Sequence, residues 1–131
     1  MLNWASRPYA AIARARRAWH ARHPQASRRL RRPVVSVGNV AVGGRGKTPV
    51  VASLARLLLE AGERPSILSR GYARRRPEDG VTVVSDGCRV LADIDRAGDE
   101  PLMLARALPS VPVLVGADRY VGGVLAERRF G

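Results

Sequence analysis

The chain has 131 residues, enough for a single domain with a hydrophobic core. A hydrophobic fraction of 46% is ordinary for a globular protein; an aromatic fraction of 5% argues against a base-stacking surface, and one cysteine, Cys88, excludes a disulfide framework and leaves a reducing cytoplasm as the default. The net charge of +12 would suit a nucleic-acid binder, but residues 1–32 hold nine arginines and no acid, so +9 sits in front and only +3 is spread over the other 99 residues; no nucleic-acid partner is expected.

Residues 4–20 read as an amphipathic helix, because Trp4, Ala11, Ile12, Ala15 and Trp19 share one broad stripe flanked by Arg14, Arg16 and Arg17. Three readings stay open for it: it lies on a membrane surface, it packs on the domain with its arginines solvated, or it is a mitochondrial transit peptide. No apolar run approaches the roughly 18 residues of a membrane span, and there is no signal-peptide core. Residues 24–32 are polar and read as a linker, which puts a basic membrane-facing portion at 1–32 and a nucleotide-binding domain at 33–131.

The β-branched run at 33–37 ends at Gly38 and predicts a buried parallel strand. A glycine-rich loop follows, then a helix over 50–61 stopped by Gly62. Residues 66–68 predict a strand, 73–80 an exposed loop, 81–84 another strand and 88–91 an extended segment. A helix over 101–108 starts behind Asp99 and Glu100, whose charges suit its positive end, with Pro101 in the first turn. Residues 111–115 predict a strand, and Asp118 opens a last helix reaching Arg128. Strands alternating with helices predict an α/β layered domain with a mainly parallel sheet.

The loop Ala41-Val42-Gly43-Gly44-Arg45-Gly46-Lys47-Thr48 fits the P-loop pattern, with Ala in place of the first Gly. Placed between a strand and a helix, its glycines let main-chain amides approach phosphate, Lys47 bridges the terminal phosphates and the Thr48 hydroxyl holds Mg²⁺. ATP and Mg²⁺ are therefore the expected cofactors. Of the 23 basic residues Lys47 is the single lysine, where a compact ammonium on a slim stem is required and a forked guanidinium is not equivalent.

The stretch Val34-Val35-Ser36-Val37-Gly38-Asn39-Val40, continued through this loop to Pro49, resembles the opening of the tetraacyldisaccharide 4′-kinase family. Leu68-Ser69-Arg70-Gly71-Tyr72, Gly98-Asp99-Glu100-Pro101 and Gly116-Ala117-Asp118-Arg119 agree in order. The resemblance implies a P-loop NTPase-type kinase that moves the ATP γ-phosphate to the 4′-hydroxyl of a tetraacyl glucosamine disaccharide 1-phosphate, in lipid A synthesis at the cytoplasmic face of the bacterial inner membrane. It implies a membrane-embedded lipid acceptor as partner, peripheral attachment through the N-terminal helix, and a monomer.

Residue by residue, the match makes Asp99 the carboxylate beside the reacting hydroxyl; from the residues alone Asp99 and Glu100 are equally well explained as a helix-start charge pair. Arg70, Tyr72, Glu100 and Arg119 lie in matched motifs and are implied to contact substrate or nucleotide, although Arg70 or Arg119 could instead pair with a domain carboxylate. Arg45 stands where the family usually has Thr, and Ala73 where it has Gly. The family's later Asp-Asp-Gly-Phe-Gln-His stretch, which bears a second acidic Mg²⁺ motif, is absent; the expectation is a fragment lacking the C-terminal lobe and inactive alone. Without these ordered motifs the loop would fit another P-loop NTPase, such as a GTPase-type metallochaperone.

Overall fold

The computed structural model describes residues 6–24, 27–38, 46–71, 74–77 and 79–131. In chain order their elements are α1 (Ser6–Arg22), α2 (Lys47–Glu60), β1 (Ile67–Ser69), β2 (Val81–Asp86), α3 (Ile94–Ala97), α4 (Asp99–Ala107), β3 (Pro112–Gly116) and α5 (Arg119–Phe130). Trp4, the loop residues Ala41 to Arg45, Tyr72 and Ala73 lie outside the described residues.

β3 is buried along its whole length, as its unbroken apolar composition requires of a strand covered on both faces. It is central in the order β1-β3-β2. β1 runs parallel to it, with Ile67 opposite Val113 and Ser69 opposite Val115; β2 runs antiparallel, with Val81 opposite Gly116. Alternation along the strand sorts the core. Val113 and Val115 share a cluster with Ile67, with Ala52 and Ala55 of α2, and with Leu102, Leu104 and Ala105 of α4. Leu114, 1% exposed, points to the opposite face, where α5 lies: a Cβ on Gly122 would touch Leu68 and Val81. Helices therefore cover both faces of the sheet, and the α/β layered arrangement holds.

The helix ends follow local chemistry. α2 stops at a left-handed Gly62 (φ +81°), where the amides of Ala61, Gly62 and Glu63 return to the carbonyls of Leu57, Leu59 and Leu58. α3 starts at Asp93, whose carboxylate accepts from the Arg96 amide at 3.0 Å. The 24–32 segment is pinned to α5: the Arg32 amide donates to Glu127 at 2.7 Å, and a Cβ on Gly123 would overlap Leu30.

Three expectations are corrected. The sheet among the described residues is mixed and not mainly parallel. β2 pairs antiparallel with β3, and no helix lies among the described residues between β1 and β2. Residues 33–38 are not a strand: Val34 and Val35 are 65% and 67% exposed, and β1 takes its ladder bonds from β3 alone among the described strands. β-branched composition without a neighbouring edge does not make a strand. Residues 88–91 are bent, with one bridge residue, Val90, opposite Ser85. The short α3 was not anticipated.

α1 (Ser6–Arg22) covers the described part of the stretch where a helix was expected at 4–20. Ile12 and Trp19 on it are 67% and 50% exposed, so neither is buried against the domain. The loop expected to be exposed at 73–80 is part-buried at Arg74, whose Nε donates to the Gly71 carbonyl at 3.2 Å.

Leu114→Ala should cost about 2–5 kcal/mol, because the side chain is enclosed on the α5 face of the central strand. Urea unfolding of the two proteins measures it, and a loss under about 1 kcal/mol would mean that the face is not packed as described.

Candidate functional site

Gly46 opens α2 with φ +107°, a left-handed conformation that favours glycine. Lys47 and Thr48 then form the first helical residues. No side chain caps this end and no acidic residue lies in its first turn, so its own helix supplies no anion to the orphan amides and positive dipole. Such an end favours phosphate.

A second helix start meets it. Gly98 (φ +86°) turns the chain sharply from α3 into α4, which begins with Asp99 and Glu100 in its first turn. The Thr48 hydroxyl donates a hydrogen bond to Glu100 Oε1, joining residues 52 apart in sequence. The P-loop threonine and the Gly-Asp-Glu-Pro stretch are thus one locus. Asp99, next to Glu100, lies on the wall of an open groove with Ile94, Leu102, Met103, Arg106 and Ala107.

Arg70 and Arg119 are brought to a common edge by the parallel pair. Ser69 is opposite Val115, so Arg70 and the Gly116-Ala117-Asp118-Arg119 stretch leave the carboxyl ends of neighbouring strands, where open α/β sheets bind ligands. Both arginines are exposed, and neither forms an ion pair with a carboxylate among the described residues. The edge is tight: a Cβ on Gly71 would overlap Val115, and one on Gly116 would sit 3.0 Å from the Gly80 carbonyl.

Asp118 starts α5, as expected, and has one partner that its motif did not reveal. Its carboxylate caps α5, accepting from the Tyr120 amide at 2.9 Å and the Val121 amide at 3.4 Å, and it pairs with Arg28 at 3.0 Å. The Tyr120 amide above all, then the Val121 amide and Arg28, hold its carboxyl below the usual range against a smaller opposing effect of desolvation. Arg28 also lies over the Tyr120 ring, 5.3 Å from its centre. The Asx capping signal was readable in the sequence; the arginine 90 residues earlier was not.

Among the described residues no cluster of three or more His, Cys, Asp or Glu could hold a metal by itself. The Thr48 hydroxyl and Glu100 carboxylate are hard oxygen donors of the kind Mg²⁺ accepts alongside water and phosphate oxygens, so the pair fits that ion as part of a shell.

A family model described as tetraacyldisaccharide-1-P 4′-kinase matches residues 1–131. The tetraacyldisaccharide 4′-kinase of Geobacter metallireducens is 46% identical over 122 residues, covering 93% of this chain and 36% of that protein. That of Pelobacter propionicus is 48% identical over 118 residues, covering 90% and 32%. The crystal structure of the "apo" form of LpxK from Aquifex aeolicus in complex with ATP superposes with a TM-score of 0.72 at 37% identity, covering 98% of this chain and 41% of that one. The chain spans about a third of the length of the curated relatives it matches.

Because the Asp118 carboxyl is held low in the fold, its contribution is present above the ordinary carboxylate pKa of 3.8 and fades as pH falls through the lower folded value. Asp118→Ala should therefore lower Tm by a few degrees at pH 7, and the gap should narrow on acidification below about pH 4. A gap that stays constant from pH 7 to pH 2.5 would show that the ionised cap contributes nothing.

Proposed function

The chain belongs to the tetraacyldisaccharide-1-P 4′-kinase family, and on that premise we propose that it forms the nucleotide-binding part of an enzyme that phosphorylates the 4′-hydroxyl of a tetraacyl glucosamine disaccharide 1-phosphate from ATP, a step of lipid A synthesis. The observation that supports this best is the junction of two helix starts through Thr48 and Glu100, which puts an anion-binding end beside two carboxylates.

In this reading the amides from Ala41 to Lys47 grip the phosphate tail, and Lys47 neutralises the terminal phosphates as the γ-phosphoryl group leaves. Thr48 and Glu100 would hold Mg²⁺, which when bound would supply charge neutralisation on the phosphate oxygens. Asp99 accepts the proton that the sugar hydroxyl sheds as it attacks phosphorus. Arg70 and Arg119, at the carboxyl edge of the sheet, hold the anionic groups of nucleotide or acceptor, a role that the family motif extends to Tyr72.

The acceptor is lipid-anchored, and residues 1–32 suit it. α1 exposes Arg14, Arg16, Arg17 and Arg22 together with Ile12 and Trp19. Arginines attract an anionic leaflet and tryptophan favours the interface, which supports the reading of peripheral binding at the cytoplasmic face of the inner membrane. No helix among the described residues is long and apolar enough to cross a membrane.

Lys47→Ala should weaken ATP binding by at least about tenfold, since a charge-assisted phosphate contact is lost. Titration calorimetry measures this, and an unchanged affinity would remove the phosphate role. In a polypeptide that carries this chain at the full length of its relatives, Asp99→Ala should keep ATP affinity and lower phosphoryl transfer by about 10²–10⁴-fold. Transfer within a fewfold of the unaltered enzyme would reduce Asp99 to a helix-start charge.

A further inference from the structure

The start of α4 has two flanks of opposite character. Successive residues on a helix are rotated by about 100°, so with Glu100 turned to Thr48 on the α2 side, Asp99 faces around the axis into the groove beside α3. From Asp99 the stripe continues through Leu102, Met103 and Arg106, the i+3, i+4 and i+7 positions of one helix face. Ile94 of α3 forms the other wall. Ile94 and Met103 are 52% and 53% exposed, two large apolar side chains side by side at the edge of the candidate site.

We propose that this groove receives one acyl chain of the acceptor, the chain borne by the sugar ring whose hydroxyl meets Asp99. The inference rests on the kinase reading and extends it to the acceptor's lipid. An occupant must bring a hydroxyl to Asp99 and, from the same point, lay apolar length along Ile94, Leu102 and Met103. An acylated sugar does both. A nucleotide has ribose hydroxyls but no apolar length, and its phosphates are drawn to the opposite flank, where the uncapped start of α2 lies.

The groove's remaining features agree. Arg106 lies two helical turns from Asp99, about 10 Å along the axis, so that its stem extends the apolar wall and its guanidinium matches the negative charge of a phosphorylated, membrane-held acceptor. Met103 is unbranched and adapts to a flexible chain better than a β-branched residue would. Removing the chain's methylenes from water supplies affinity, and acyl recognition becomes separable from recognition of the sugar.

The test uses methyl NMR, because Met103 is the sole methionine besides Met1 and its resonance is unambiguous. The chain is titrated with a short-acyl tetraacyl disaccharide 1-phosphate below its micelle concentration, and separately with the fully deacylated disaccharide 1-phosphate. The acylated compound should move the Met103 and Ile94 methyl signals, and the deacylated one should leave them in place. Met103→Asp and Ile94→Asp, both at half-exposed positions that tolerate a charge, should each weaken binding of the acylated compound about tenfold with ATP affinity unchanged. Equal shifts with both compounds, or unaltered affinity in both variants, overturn the proposal. If ATP binding depends on Lys47 while the acylated compound moves neither methyl, the groove assignment fails and the kinase reading stands; if neither ATP nor acceptor binds, both fall.

Discussion

The burial of β3 on both faces is the constraint on which the rest depends. A strand of Pro-Val-Leu-Val-Gly cannot face water on either side, so α2 and α4 must cover Val113 and Val115 while α5 covers Leu114. That double covering positions everything functional. It brings the start of α4 against the start of α2, and it sets the carboxyl end of β1 beside that of β3, so that Arg70 and the Gly116-Ala117-Asp118-Arg119 turn emerge together.

The electrostatics of the candidate site follow from where helices begin. α2 starts on a left-handed glycine with neither cap nor acid, whereas α3 and α5 start on aspartates that satisfy their own amides. A helix end without an internal partner is one that a ligand can occupy. The acids that the first turn of α2 lacks are supplied across space by α4, and Thr48 already uses one of them. In the proposed reading this divides the labour between adjacent residues: Glu100 looks to the nucleotide side and Asp99 to the acceptor side. A glycine is required where the backbone comes closest: Gly71 against Val115 leaves no room for a side chain at the sheet edge, and Gly116 against the Gly80 carbonyl leaves little.

The charge asymmetry of the sequence reappears as a spatial one. The front arginines on α1 remain exposed, whereas Arg28 and the Arg32 amide tie the following segment to Asp118 and Glu127 around α5. The segment read as a linker is thus attached to the domain at both ends of that helix.

The sequence by itself determined whatever depends on near neighbours. Glycine-Lys-Thr at a helix start, aspartate before α5, Gly62 after α2 and the apolar run of β3 each act through residues a few positions away, so every helix but the short α3 and the three strands of the sheet were legible to within a few residues, as was the family. Only the tertiary structure decided what depends on distant ones. The direction of β2 is set by its pairing with β3; the run at 33–37 has no strand to pair with among the described residues; the Thr48–Glu100 contact and the groove between α3 and α4 join residues whose approach is dictated by how two helices share one buried sheet face. Local propensity acts along the chain, whereas pairing and burial act between surfaces that meet only when the core closes.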